Sequence, residues 1–315
     1  MENLMFSVNV VTPLFVLMAT GYILRRIHFI SLAFLGQLNR FVFKFLLPLM
    51  LIQDIRTSYT GDFSNTRLIV ASLVGIIVVI ALSFLIVPLV VKRRGQRGSI
   101  IQGIYRSNFL IYGMPLAKGI YGSAAVAHIS MLMGIMIPFY NVAAVVILSI
   151  FSEDRKQKLS ITTLLRDMAT NPLILGCFFG LLGGYFHVQL PHVVDYPLQQ
   201  MANTAAPLAL FVMGGEFRFS ALKGNLTKVI CVSALRLIVV PVLALGVCIY
   251  LGFMGVNLAV LISLFATPAA MAGYIMAKNM GNDGELAAQI VVLSTACSCV
   301  TIFFFIYFLR AWGYL

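Results

Sequence analysis

Ten apolar runs of membrane-spanning length constrain the fold of this chain more than any other feature of its sequence. A helix needs about 20 mostly apolar residues to cross the hydrocarbon core of a bilayer. The chain is 61% hydrophobic and only 10% charged, which is too apolar for a soluble domain of its size. The sequence therefore predicts an all-α integral membrane protein with ten transmembrane helices. In chain order, spans one to ten lie at roughly 6–24, 36–54, 67–91, 100–121, 124–151, 170–187, 195–217, 226–252, 256–278 and 286–309.

The basic residues are divided unevenly between the two ends of these spans. Seventeen of the 22 Lys and Arg, Arg106 among them, fall on the connections that follow odd-numbered spans, and four fall on the other side. Because positive residues stay cytoplasmic, we expect both termini on the extracytoplasmic side of the cell membrane. The chain has 22 Lys and Arg against 10 Asp and Glu, and the orientation of the protein in the bilayer explains this excess. No nucleic-acid partner is therefore expected.

Two glycine- and proline-broken stretches, 107–122 and 264–278, occupy matching places in the two halves of the chain. Their prolines, Pro115 and Pro268, are 153 residues apart in a chain of 315. Five spans per half make the halves opposite in orientation, which predicts an inverted repeat. Its parts are a first repeat at 1–151, a cytoplasmic connecting loop at 152–170 and a second repeat at 171–315. Paired breaks indicate a transporter's substrate site, while the alternative is two kinked helices in a passive bundle.

Each proline should unwind its helix, at Gly113-Met-Pro115 and at Ala266-Thr-Pro268. Proline lacks an amide hydrogen and clashes with the carbonyl group four residues earlier. The half-helices that restart after each break present amide-rich, positive ends there, and such ends favour an anion. Gly113 would allow the backbone or a ligand to approach closely.

Several polar residues near the breaks are candidate substrate contacts, each with a structural alternative. Asn108 and Asn141 could bind a carboxylate or satisfy broken backbone. Arg236, inside span eight, could attract a carboxylate, or bond freed carbonyls or an acid. Lys118 could face the substrate or extend outward along the helix. The predicted substrate-binding set is Asn108, Tyr112, Gly113, Pro115, Lys118, Asn141, Arg236, Thr267 and Pro268.

Two further members of this set have open alternatives, and one histidine is left out of it. Tyr112 and Thr267 could line a substrate wall or simply pack. His128 fits a hydrogen-bonded structural role better than a proton relay.

Acidic residues are confined to the ends of the spans, as at Asp54, Glu216, Asp283 and Glu285. Coupling to sodium or to protons through a central acid is therefore disfavoured, and a sodium-coupled organic-acid symporter is the alternative function. The five cysteines form no CxxC pair, and no metal or cofactor is expected. The sequence contains no HExxH, no intramembrane GxGD and no nucleotide-binding loop, which argues against an enzyme.

The motifs around the breaks resemble those of the auxin efflux carrier family, in its prokaryotic branch. The strongest matches are NFLIYGMPLAKGIYG from Asn108 and ATPAAMAGYIMAKNMGNDGELAAQIVVLST from Ala266. NPLILGCFFGLL from Asn171 and AAPLALFVMGGEF from Ala205 are also similar to the family. The resemblance covers essentially the whole chain, and Asn108 matches an asparagine that auxin-transporting members carry.

This resemblance implies a fold shared with bile-acid/sodium symporters and sodium/proton antiporters. Spans one, two, six and seven would form a scaffold, and spans three to five and eight to ten a mobile transport domain. Broken spans four and nine would cross at their prolines. Similar proteins often form homodimers through the scaffold, and they carry organic acids, including auxin and small carboxylates. The expected function is a secondary transporter of a small organic anion that works by an elevator-like movement.

Overall fold

The computed structural model describes residues 2–58, 65–153, 170, 172–216 and 225–315. Within these ranges the regular structure is helical, and the sole β-bridge joins Ser107 to Ala269. Most of the predicted connecting loop, 154–169, lies outside the described residues.

Thirteen α-helices occupy the described ranges, and three short π-helical turns adjoin them. The first six helices are α1 Glu2–Arg26, α2 Leu32–Phe41, α3 Leu47–Ser58, α4 Thr66–Val90, α5 Arg94–Tyr105 and α6 Met114–Phe151. The remaining seven are α7 Pro172–Tyr185, α8 His192–Glu216, α9 Leu226–Ala234, α10 Val240–Tyr250, α11 Gly255–Phe265, α12 Met271–Asn279 and α13 Gly284–Ala311. The π-helical turns are Val42–Leu46 between α2 and α3, Phe109–Gly113 before α6, and Leu235–Val239 between α9 and α10.

Five helical stretches in the described ranges are long and apolar enough to cross a membrane. A sixth is α1, if its two parts, bent by 40°, count as one span. The shorter apolar helices Ile174–Tyr185 and Gly255–Phe265 fall below that length. The prediction of a helical, multi-pass membrane protein is therefore confirmed, whereas the count of ten and the inverted repeat stay predictions. The five stretches are Leu32–Thr57, Thr66–Val90, Phe109–Phe151, Leu226–Tyr250 and Gly284–Ala311.

The longest of these stretches covers a boundary between two predicted spans. Tyr121 and Gly122 have non-helical backbone angles inside α6. Gly122 has a φ of +61°, a conformation that residues with a β-carbon rarely adopt. The break falls between the end predicted for span four and the start predicted for span five.

Glycines bring two pairs of helices into backbone contact. A β-carbon on Gly214 of α8 would overlap the carbonyl oxygen of Met18 in α1. A β-carbon on Gly176 of α7 would lie 2.9 Å from the carbonyl oxygen of Pro48 in α3. Small residues permit such close packing where lipid supplies no hydrophobic drive between helices. These four helices belong to the predicted scaffold, although the division into scaffold and transport domain itself stays a prediction.

A polar network joins the start of α5, the end of α6 and the start of α13. Asp283 caps α13 by accepting from the backbone N–H of Leu286 at 3.0 Å, and its own N–H donates to the carbonyl of Gly95 at 3.0 Å. Glu153, just after α6, accepts from Nε of Arg93 at 3.0 Å. These contacts hold the ends of three helices together.

Candidate functional site

The two interrupted helices meet at their breaks and satisfy each other's backbone. The N–H of Asn108 donates to the carbonyl of Pro268 at 2.8 Å, and the N–H of Ala270 donates to the carbonyl of Arg106 at 3.0 Å. These bonds flank the bridge between Ser107 and Ala269. Irregular backbone at membrane depth persists only where its polar groups are covered or hydrogen-bonded. The pairing of the two extended segments meets this requirement.

The first break lies earlier in the chain than the sequence predicted. Helix α5 ends at Tyr105, and the extended residues are 106–108, so the chain does not unwind at Gly113-Met-Pro115. Pro115 instead lies in the first turn of α6, just after the π-helical turn Phe109–Gly113, so the chain stays helical on both sides of it. The second break does contain Pro268, as predicted.

Gly113, in the π-helical turn, lets the restarted helix pack against the backbone of α11. A β-carbon at this position would lie 2.9 Å from the carbonyl oxygen of Ser263. The close approach expected of Gly113 is therefore made to protein backbone.

Arg236 is fully buried, and its guanidinium binds carbonyl groups at the ends of the broken helices. Its Nε donates to Thr267 O at 2.9 Å, and its Nη2 donates to Leu264 O at 3.1 Å. Its Nη1 donates to Ile104 O at 3.2 Å and to Tyr105 O at 3.4 Å. The C-terminal ends of helices carry partial negative charge, so the cation is stabilised without a carboxylate. These contacts match the structural alternative for Arg236.

A cavity of about 490 Å³ lies beside the crossover. The beginnings of two helical segments face it, through Phe109–Ile111 and through Ala270–Ala272. The other walls come from α2 with the π-helical turn after it, from α6 and from α12. The lining residues are Asn39, Arg40, Phe43, Lys44, Arg106, Ser107, Asn108, Phe109, Leu110, Ile111, Ile137, Tyr140, Asn141, Ala270, Met271, Ala272 and Met276.

Of the described residues that line this cavity, three are cations and none is a carboxylate. Arg106 is buried, with 7% of its surface exposed. Its Nη2 donates to Oδ1 of Asn141 at 2.8 Å, and its Nη1 lies 3.0 Å from the sulfur of Met276. Arg40 and Lys44 are exposed to solvent. The cavity thus combines one buried cation with two exposed ones and with mainly apolar walls.

The structure brings two of the nine predicted site residues to the cavity, namely Asn108 and Asn141. The Nδ2 of Asn108 also contacts the sulfur of Met213 at 3.2 Å. Thr267 is fully buried and donates its hydroxyl to Ser263 O at 2.8 Å. With Gly113, Pro268 and Arg236, it belongs to the crossover itself.

The other three predicted site residues lie away from the cavity lining. The ring of Tyr112 packs edge-on against Phe15, with ring centres 6.0 Å apart. Pro115 is half-buried and Lys118 is exposed. His128, which was not in the set, has its Nδ1 2.8 Å from the carbonyl oxygen of Ala124 in its own helix.

Sequence reasoning missed the three cations and the hydroxyl residues Ser107 and Tyr140. The basic residues were assigned to the cytoplasmic connections, although Arg106 lies inside the predicted span 100–121. Arg40 and Lys44 likewise lie inside 36–54. An ionisable residue within a predicted span is a candidate functional residue by default, and this signal was present in the sequence. The hydroxyl of Tyr140 lies 3.1 Å from that of Ser107, a contact that the sequence alone did not indicate.

Comparison with known proteins places the chain in a family. Residues 6–306 match the family described as Membrane transport protein. The chain belongs to this family of transporters. The match, together with the relatives described next, confirms the resemblance to the auxin efflux carrier family, and with several apolar spans it identifies a multi-pass membrane protein.

Three relatives of this transporter family are similar to the chain over nearly its whole length. An uncharacterized transporter of Methanothermobacter thermautotrophicus is 26% identical over 309 residues, covering 95% of this chain and 97% of the relative. A putative malonate transporter of Rhizobium meliloti is 22% identical, covering 96% of each. Auxin efflux carrier component 5 of Arabidopsis thaliana is 24% identical, covering 92% of this chain and 93% of the relative. These names point to a transporter and not to an enzyme.

Proposed function

We propose that the chain is a secondary transporter of a small organic anion, a mono- or dicarboxylate that includes auxin-like acids. The anion would bind in the crossover cavity and cross the membrane by an elevator-type alternating-access movement. The observation that carries this proposal is the lining of the cavity. Among the described residues it contains one buried cation, two exposed cations and the starts of two helical segments, and no carboxylate.

The electrostatics of this lining favour an anion for two independent reasons. The start of a helix attracts negative charge, by about 0.3–1 kcal/mol at exposed sites and by up to about 2 kcal/mol when partly buried. A buried guanidinium adds charge-assisted hydrogen bonds, which are roughly twice as strong as neutral ones. Apolar residues such as Phe43, Phe109 and Leu110 line the same space. They suit the carbon skeleton of an organic acid better than a fully hydrated inorganic ion.

The names of two relatives support the same class of substrate. Malonate, named for the relative in Rhizobium meliloti, is a dicarboxylate, and the Arabidopsis thaliana relative is named for auxin. The cavity volume of about 490 Å³ is large enough for small acids of both kinds. The family and the cavity therefore support an organic acid without choosing one.

Arg40 and Lys44 at the cavity suggest which side of the membrane it faces. Both belong to the seventeen basic residues assigned to the cytoplasmic side. The described conformation would then be open to the cytoplasm, with both termini outside the cell membrane. In the elevator movement the crossover would carry the anion past the scaffold, where similar proteins form homodimers.

Transport by reconstituted protein tests this proposal. Vesicles containing the purified chain are preloaded with unlabelled acid, and counterflow of labelled malonate, succinate, phenylacetate and indole-3-acetate is measured. We expect saturable counterflow of at least one acid, and its loss in Asn108→Ala. The matched control is Asn203→Ala, because Asn203 is an exposed residue of α8.

The same vesicles distinguish the sodium-coupled alternative. An inward sodium gradient would drive net uptake if the chain were a sodium symporter, and lithium or potassium would not replace it. We expect unchanged counterflow in sodium-free buffer. Absence of counterflow for every mono- and dicarboxylate tested would refute the transport of organic anions.

A further inference from the structure

Arg106 is a buried cation for which the described residues provide no carboxylate. Only 7% of its surface is exposed. The ion pairs of the described residues are Arg56–Asp195, Arg93–Glu153, Arg93–Asp283 and Arg310–Glu2. A charge held away from water normally has an ionic or strongly hydrogen-bonding partner. Among the described residues, the charge of Arg106 therefore has no ionic partner.

The backbone fixes the position of Arg106 from both sides. Its N–H donates to Gln102 O at 3.0 Å at the end of α5, and its carbonyl accepts from the N–H of Ala270 at 3.0 Å. The residue is thus tied to both interrupted helices. The backbone position from which the guanidinium reaches the cavity is therefore set before a ligand binds.

Two protein contacts orient the guanidinium without saturating it. A guanidinium has five N–H donors. The contacts to Oδ1 of Asn141 and to the sulfur of Met276 account for two of them, and a thioether is a weak acceptor. The side chain lines the cavity, so its remaining donors are available to a group bound there.

Arg236 provides an internal comparison, because it is also buried and also lacks a carboxylate within the described residues. Its guanidinium instead binds four carbonyl oxygens and does not line the cavity. Arg236 already has its acceptors, whereas Arg106 has an amide oxygen, a thioether and open space. Of these two buried arginines, only Arg106 can accept an anion from the cavity.

We propose that Arg106 binds the carboxylate of the transported acid directly, and that Asn141 holds its guanidinium in position to do so. This inference rests on the proposed function and assigns its charge recognition to one residue. A planar guanidinium can form two parallel hydrogen bonds to one carboxylate, which an ammonium group cannot reproduce.

Binding of acids and of their uncharged amides to purified variants tests the assignment. Titration calorimetry measures Kd for indole-3-acetate and malonate, and for indole-3-acetamide and malonamide. Arg106→Gln should raise the Kd of the acids at least about tenfold, equivalent to 1.4 kcal/mol, and leave amide binding unchanged. The Kd of Arg106→Lys for the acids should lie between those of the original chain and of Arg106→Gln. Asn141→Leu should show a smaller loss of affinity that is again specific to acids. Arg26→Gln is the matched control, because Arg26 is exposed at the end of α1.

The outcomes separate this inference from the proposed function. If Arg106→Gln folds and binds the acids within about twofold of the original chain, Arg106 is not the anchor, even if transport is intact. Equal loss of acids and amides would indicate a structural role and overturn the assignment. If Arg106→Gln does not fold, the acid affinity of Arg106→Lys tests the assignment instead. An affinity of Arg106→Lys equal to that of the original chain would contradict bidentate binding. If the unmutated chain binds no acid, the anchor and the proposed function both fail.

Discussion

Replacing Arg236 by methionine should destabilise the protein, because its guanidinium connects the ends of the interrupted helices. The side chain is fully buried and bonds to the carbonyls of Thr267, Leu264 and Ile104 at 2.9–3.2 Å. A fourth contact, to the carbonyl of Tyr105, is longer at 3.4 Å. Methionine has a similar apolar stem but no donor, so these carbonyls would lose their partners inside the bundle.

The expected size of this effect follows from the contacts. Hydrogen bonds that involve a charged group contribute about 1.5–3 kcal/mol each, so three good bonds represent about 4.5–9 kcal/mol. Removing a charge from the membrane interior offsets about 2.5–3.5 kcal/mol of that loss. The free energy of unfolding should therefore decrease by about 1–6.5 kcal/mol. The free energy of unfolding of Arg236→Lys should lie between those of the original chain and of Arg236→Met, because an ammonium group cannot reach all the carbonyls that the wider guanidinium binds.

Equilibrium unfolding in detergent micelles, followed by helical circular dichroism, measures this change. Arg26→Met is the control, because Arg26 is exposed and surface substitutions usually change stability by less than about 0.5 kcal/mol. A loss below about 1 kcal/mol would refute the structural role. If Arg236→Met keeps the unfolding free energy but binds carboxylates more weakly, Arg236 binds the substrate instead.

Three further predictions concern packing, charge and pH. Gly214→Ala should destabilise the fold by at least about 2 kcal/mol in the same unfolding assay, because its β-carbon would overlap a carbonyl oxygen of α1. Neutralising Arg40 and Lys44 together should lower the ratio of maximal uptake rate to KM by about threefold or more at low salt, measured as initial uptake into vesicles. The hydrogen bond from Arg93 holds the pKa of Glu153 below its ordinary value of 4.5. The stabilisation by this carboxylate should therefore be complete above pH 4.5 and be lost as pH falls through the lowered pKa. The free energy of unfolding of Glu153→Gln should then equal that of the original chain only in acid.

Each of these predictions has its own contradicting result. Gly246 has open space around it, so Gly246→Ala should be neutral or stabilise by about 0.5–1 kcal/mol, and equal losses at both glycines would contradict the packing argument. The effect of neutralising the two exposed cations should vanish near 0.5 M salt, where the Debye length is about 4 Å. If it persists there, it does not arise from long-range attraction. A stability difference at Glu153 that is constant with pH would contradict the role of its charge.

The sequence predicted the helical membrane class and the existence of two interruptions for definite physical reasons. Long apolar runs indicate that a helix is surrounded by lipid. A proline marks a position where the backbone has no N–H to donate to a helical hydrogen bond. The sequence misplaced the first interruption because a proline need not open the helix that contains it, since π-helical adjustments can satisfy the freed backbone groups. Pro115 lies two residues after such a turn, Phe109–Gly113, while the non-helical residues 106–108 contain no proline. Their extended form depends on hydrogen bonds to the other break, which is far away in sequence.

The two buried arginines show why the candidate site was harder to predict than the fold. Both lie within predicted spans, and in sequence both are single cations in apolar surroundings. Arg236 lies in the π-helical turn between α9 and α10 and donates to the ends of two interrupted helices, whereas Arg106 is itself part of the break. A cation that donates to helix ends stabilises the crossover, and its N–H donors are already used by the carbonyl groups there. A cation that forms part of the break presents its charge to the cavity between the restarted helices, where we propose that the organic anion binds. The distinction depends on which acceptors each guanidinium finds across the bundle, and only the packed structure specifies those.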